Sequence, residues 1–146
     1  MANLCSYMKI KRFVYTSSCS VYGSTSGTAL LDEKSSLNPV SHYARMKVLS
    51  EQSLLSTSSE DFNPTILRLA TVFGLSPRMR LDLLVNDFCY RAHRDKYLVL
   101  FESHFKRNYI HIRDVSSTVA YILDLSRNTV VDEINLSPLK KAIKFK

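Results

Sequence analysis

Two apolar runs, RFVYT at 12–16 and TILRLATVF at 65–73, flank a stretch of helical periodicity at 41–56, and that order constrains the fold more than anything else in the chain. Both runs are rich in β-branched and aromatic residues and give way to small polar residues, Gly or Pro, as buried strands do. Ser41 stands where an N-cap belongs, and Ala44, Val48, Leu49, Leu54 and Leu55 follow at roughly helical intervals. Between the first strand and this helix, residues 23–39 are rich in Ser, Thr, Gly and Pro without a sustained period, which predicts a long loop. Strand, loop, helix, strand is a βαβ crossover, so the chain is expected to be α/β with a parallel sheet covered by helices.

Downstream, Leu84, Phe88 and Ala92 share a helix face, YLVLF (97–101) and YIHI (109–112) read as short strands, and EINL (133–136) as a last one. Asp114 is the expected cap of a helix striped by Val115, Val119, Ile122 and Leu123. No repeat, low-complexity tract or internal boundary interrupts the chain, so residues 1–146 are expected to form one domain with 45% hydrophobic residues to build its core.

The totals exclude several functions. No apolar run reaches the length of a membrane span, and MANLCSYMKIKRF has no apolar signal core, so the expected address is cytoplasmic and no membrane partner is expected. Cys5, Cys19 and Cys89 are far apart and never in a C-x-x-C pair, which predicts reduced thiols rather than a disulfide framework or a zinc site. His93 and His104 lack ligands at metal spacing, and no metal site is expected. The formal charge of +7 suits any polyanion, but no basic stripe interleaved with aromatics accompanies it, so phosphorylated small molecules are favoured over nucleic acid.

Residues 43–47 read YARMK. On a helix, positions i and i+4 lie one above the other, so Tyr43 and Lys47 share a face. A free phenol titrates near 10, and bringing one to about 7 needs about 4 kcal/mol of preferential stabilisation of phenolate. An ammonium at about 4 Å supplies about that much at an effective dielectric of 20. Such a pair can take a proton from a sugar or alcohol hydroxyl as hydride leaves the same carbon. Tyr-x-x-x-Lys also occurs by chance on many helices; what raises its meaning is Ser18, placed where the first strand runs into its loop, the position at which strand C-termini face ligands in open α/β sheets. Arg68, inside an apolar strand, is expected to pair with a carboxylate, and His111 to be structural.

Four segments in order, FVYTSSCSVYG (13–23), YARMK, ILRLATVFG (66–74) and RNYIHIRDV (107–115), resemble the extended short-chain dehydrogenase/reductase family, specifically its NAD-dependent nucleotide-sugar epimerases and dehydratases. The resemblance implies a Rossmann-like, partial doubly wound parallel sheet with part of the substrate-binding region, NAD as cofactor with NADP not excluded, and a nucleotide-sugar substrate. It makes Ser18 the substrate-orienting hydroxyl, Tyr43 the acid/base, and Lys47 the holder of the nicotinamide ribose. It places Leu69 beside the cofactor, and Thr71, where the family commonly has Asn, beside the substrate. Arg107 and Asn86 are the implied diphosphate contacts, Arg107 through a bidentate guanidinium. Ser18-Cys19-Ser20 stands where the dehydratases carry Thr-Asp-Glu, which favours epimerase-like or simple oxidoreductase chemistry over dehydration.

A dinucleotide site also needs a Gly-rich turn, and Gly23, Gly27 and Gly74 form none. Relative to the family the sequence carries the catalytic half without the opening strands. A second reading therefore stands beside the epimerase: a truncated, non-catalytic product that is unstable alone or pairs with another polypeptide supplying the missing half; a homodimer is the other partner expected.

Overall fold

The computed structural model describes residues 1–24, 31–101, 103, 107–126 and 129. The element order is α1 (Ala2–Tyr7), β1 (Phe13–Ser18), a 3-10 turn (Cys19–Tyr22), α2 (His42–Ser56), β2 (Pro64–Leu69), β3 (Thr71–Phe73), α3 (Leu84–Arg94), β4 (Tyr109–His111) and α4 (Ile112–Asp124). β1 and β2 pair in parallel, from Phe13 opposite Pro64 to Ser18 opposite Leu69, with α2 as the crossover. This is the βαβ unit that the periodicity predicts. β3 and β4 form a second parallel pair, Thr71 opposite Tyr109 and Phe73 opposite His111. The architecture is α/β and Rossmann-like, a partial fold built on two short parallel sheets.

α2 begins where Ser41 Oγ accepts the amide of Ala44 at 3.1 Å, and it ends where the hydroxyl of Thr57 donates to the Leu54 carbonyl at 2.8 Å. No Gly or Pro interrupts it between. At the other end of β1, Arg12 donates to the carbonyls of Leu125, at 3.2 Å, and Ser126, tying the strand to the end of α4.

Four expectations are corrected. The run 65–73 is two strands, because the chain changes ladder partner at Ala70: Leu69 still pairs with Ser18, while the Thr71 amide already donates to Asn108 at 3.2 Å. Residues 97–101 are not a strand; they have no ladder partner among the described residues and are exposed, Phe101 by 84%. On α3 the buried residue is Asn86, whereas Leu84 is exposed. α4 starts one turn earlier than its sequence suggests, because His111 Nδ1 accepts the Arg113 amide at 3.2 Å and so caps it; Asp114 lies in the first turn, where its charge complements the helix dipole. EINL lies outside the described residues.

The core is smaller than the composition suggests. Among the described residues the buried hydrophobics are Val21, Ala44, Leu54, Phe62, Val115 and Ile122. Phe13 packs on Phe62 with ring centroids 5.7 Å apart, yet most of β1 and β2 is only half-buried. Parallel strands are ordinarily covered on both faces, and the described residues cover these only in part.

The loop after β1 turns on Gly23, at φ 71°, where a Cβ would stand 1.9 Å from the Asn38 carbonyl oxygen. Gly23→Ala therefore meets both left-handed strain and a backbone clash. We expect a loss of at least about 1–3 kcal/mol in denaturant unfolding, against no loss for Ser24→Ala.

Candidate functional site

The site grows from the C-terminal end of β1. Ser18 is its last residue, opposite Leu69, and caps the 3-10 turn: its Oγ accepts the Ser20 amide at 3.2 Å and the Ser20 hydroxyl at 2.9 Å. Lys47 reaches from α2 to β1, where Nζ donates to the Thr16 carbonyl at 2.7 Å and lies 4.7 Å from the centroid of the Tyr15 ring. The same Nζ is 5.7 Å from the centroid of the Tyr43 ring, one turn earlier on the helix. Tyr43 itself is 57% exposed, so its phenol faces open space above a fixed cation. α2 packs directly on both β1 and the 3-10 turn, which puts Ser18, Tyr43 and Lys47 on adjoining elements.

Behind this surface lies a buried polar cluster. Glu51, two turns beyond Tyr43 and 2% exposed, receives the Ser17 hydroxyl and is bridged by Arg68, whose Nη2 is 2.7 Å and Nε 3.1 Å from Oε2. Arg68 Nη1 also donates to the Tyr22 hydroxyl at 2.9 Å and the Glu33 carbonyl at 3.3 Å. Burial alone would raise the Glu51 carboxyl, but the bonds from Arg68 and Ser17 outweigh it and hold Glu51 below the usual carboxylate range. The carboxylate raises Arg68 in return, so the pair is fully charged at neutral pH. Arg68 thus has the carboxylate partner expected of it.

The remaining residues lie further along the two sheets. The Cys19 thiol donates to Asn108 Oδ1 at 3.6 Å, drawing the 3-10 turn to the segment that enters β4 and carries Arg107, which is exposed. Burial pushes the Cys19 thiol up, against its hydrogen bond to Asn108 and the charge of Arg107. Thr71 is half-buried at the start of β3. Asn86 is spent on the backbone: Nδ2 donates to the Arg80 carbonyl at 3.1 Å and Oδ1 accepts the Gly74 amide at 3.4 Å. It lines a cleft of about 540 Å³ with Phe73, Gly74, Met79 and His111, beyond the C-terminal ends of β3 and β4. A Cβ on Gly74 would be 2.8 Å from His111 Nε2 and from Ile112 Cγ2, so only glycine lets the strand pass there. The structure therefore puts Ser18 and Leu69 at the end of the β1–β2 ladder, with Lys47 against β1 and Tyr43 one helical turn away, and puts Thr71, Asn86 and Arg107 on the second sheet and its flanks.

Sequence reasoning overlooked Glu51 and Ser17. The signal was available: Glu51 lies on the α2 face defined by Ala44, Lys47 and Leu54, opposite an arginine in an apolar strand. Among the described residues no cluster of His, Cys, Asp or Glu could hold a metal ion, and no helix is long and apolar enough to cross a membrane.

A fold of two parallel βα pieces with Tyr-x-x-x-Lys at the sheet end defines a class, and the comparisons name it. Residues 1–136 match the model of the NAD dependent epimerase/dehydratase family, and the chain belongs to that family. It is 30% identical over 119 residues to the uncharacterized protein PB2B2.11 of Schizosaccharomyces pombe, covering 73% of this chain and 32% of that one. To the uncharacterized UDP-glucose epimerase YtcB of Bacillus subtilis it is 28% identical over 141 residues, 94% of this chain and 43% of that protein. Among solved structures, the UDP-glucuronic acid 4-epimerase of Bacillus cereus in complex with UDP-glucuronic acid and NAD superposes with a TM-score of 0.71 at 27% identity, over 87% of this chain and 40% of that one. The chain thus spans less than half the length of these relatives.

Removing Arg68 while Glu51 stays leaves a buried carboxylate without its partner. Arg68→Met is expected to cost about 3–5 kcal/mol in urea unfolding. Because Glu51 titrates lower folded than unfolded, its contribution is complete above the ordinary carboxyl value of 4.5 and is lost as pH falls through the lowered folded value. The Tm of the natural protein should therefore drop more steeply than that of Glu51→Gln as the pH is lowered below 4.5.

Proposed function

We propose that this chain carries the catalytic half of an NAD-dependent nucleotide-sugar epimerase, acting by transient hydride transfer at a sugar carbon. The observation that carries the reading is Lys47: bonded to Thr16, two residues before Ser18, its ammonium lies under the exposed Tyr43 phenol. A cation fixed by backbone keeps its place beside the phenol without reorganising during the reaction. Tyr43 then takes the substrate hydroxyl proton and later returns it. Ser18 Oγ, which already accepts two hydrogen bonds, keeps its own proton free to donate to the substrate oxygen.

In the same proposal the nicotinamide-ribose end of NAD lies at Tyr43 and Lys47, with these two as holders and Leu69 beside Ser18 on the sheet. Bound there, NAD would accept the hydride that leaves the sugar carbon and give it back. The exposed Arg107 guanidinium, at the entry to β4 where Thr71 meets Asn108, is the proposed seat of the nucleotide diphosphate, and the cleft of about 540 Å³ at the far end of β3 and β4, a size usual for small-molecule sites, is a second proposed surface for the nucleotide. Support for a UDP-sugar comes from YtcB and the Bacillus cereus epimerase, named for UDP-glucose and UDP-glucuronic acid. A cytoplasmic setting belongs to the same proposal, in keeping with free Cys5, Cys19 and Cys89.

A second reading is favoured by one observation: Tyr7 and Leu75 are 86% and 91% exposed, and β1 pairs only with β2 among the described residues. In that reading the chain is inactive alone and takes up a polypeptide carrying the glycine turn.

Calorimetric titration of NAD into the purified chain separates the two. Saturable one-to-one binding is expected from the epimerase; a folded chain that binds no NAD gives the second reading. Given binding, Tyr43→Phe should cut turnover of UDP-glucose by about 10²–10⁴ with the fold intact, and unchanged turnover removes Tyr43 from the mechanism. Arg107→Ala should weaken UDP-glucose binding about 10- to 100-fold and NAD binding little; equal losses would make Arg107 structural.

A further inference from the structure

We propose that Glu51 is a positioning residue for the Ser18, Tyr43 and Lys47 group, an inference that rests on the catalytic reading above. Tyr43, Lys47 and Glu51 follow each other at four-residue steps and form one stripe along α2. One end of the stripe, Tyr43, is 57% exposed, and the other, Glu51, is 2% exposed. The reacting end is therefore free and the anchored end is buried.

Glu51 holds two strands at once. Its carboxylate receives the Ser17 hydroxyl from β1 and the Arg68 guanidinium from β2, and Ser17 and Arg68 face each other across the parallel ladder. Each is the residue immediately before a proposed site residue, Ser18 and Leu69. One carboxylate thus sets the rotation and height of α2 against the strand ends on which substrate and cofactor would lie. Lys47, one turn earlier on the helix, adds a second tie to β1 through Thr16 and Tyr15.

The directional character of these bonds separates positioning from mere stability. An apolar pair of similar volume can hold a helix on a sheet as firmly as a buried ion pair does, but burial is non-directional and leaves the helix free to settle by fractions of an ångström. Three donors converging on one carboxylate do not. A displacement of about 1 Å at a reacting group costs as much as about a hundredfold in rate.

Two variants test this. Glu51→Gln keeps the shape and removes the charge; Ser17→Ala cuts only the link to β1 and leaves the ion pair with Arg68. With NAD and UDP-glucose, each is expected to lower kcat about tenfold or more while KM stays within about twofold and circular dichroism stays native. In 15N-lysine-labelled protein, the Lys47 ammonium resonance, assigned through Lys47→Arg, is expected to be visible in the natural sequence because its bond to Thr16 slows proton exchange. It should broaden or vanish in both variants. Unchanged kcat, or an unchanged Lys47 resonance, in a folded variant overturns the proposal, and if Glu51→Gln does not fold, Ser17→Ala decides alone. Absence of turnover in the natural sequence refutes the catalytic reading by itself, and the Lys47 resonance still judges the positioning.

Discussion

The buried pair between Glu51 and Arg68 is the interaction on which the rest of this structure depends. Glu51 comes from α2, Arg68 from β2, and their common neighbours are Ser17 on β1, Tyr22 at the end of the 3-10 turn and the carbonyl of Glu33 in the following loop. Residues from β1 and the loop after it, from α2 and from β2 thus meet at one ionic contact. A buried ion pair adds little stability over an apolar substitute, but once the charges are inside, every donor and acceptor around them must be satisfied. Here they are: among the described residues no buried side-chain polar atom lacks a partner. The geometry that satisfies them also presents Lys47 and Tyr43 beside the end of β1.

The apolar part of the fold contributes less than its composition allows. Two short parallel sheets leave few positions covered on both sides, so Tyr7, Leu75 and Phe101 stay in solvent while Phe62 and Val21 are sealed. Parallel strands reach their usual burial only when helices lie on both faces and further strands extend the sheet. Directional polar contacts, the Arg12 bonds to the end of α4 and the Glu51 cluster, join elements that the small apolar core does not.

Local elements were more legible than long-range pairing. The βαβ unit, the Ser41 cap, the role of Arg68 and the strand at 109–111 all follow from periodicity and local hydrogen-bonding chemistry, because these depend on near neighbours in sequence. The split at Ala70, the exposed segment 97–101 and the inward Asn86 were hidden, because each depends on which ladder or carbonyl a residue finds from a distant part of the chain. The His111 cap belongs with them: an imidazole acceptor at an N-cap lies outside the usual Ser, Thr, Asp and Asn preference.

By itself the sequence determined that this is a parallel α/β chain of the epimerase/dehydratase family, with Ser18 at a strand end and Tyr43 and Lys47 one helical turn apart, since spacing on a regular element fixes which side chains share a face. The tertiary structure decided what surrounds them. Only folding could bring Thr16 under the Lys47 ammonium, Ser17 and Arg68 onto Glu51, and Asn108 with Arg107 to Cys19. Those contacts join residues remote along the chain, and their energies come from burial and charge pairing that no local pattern encodes.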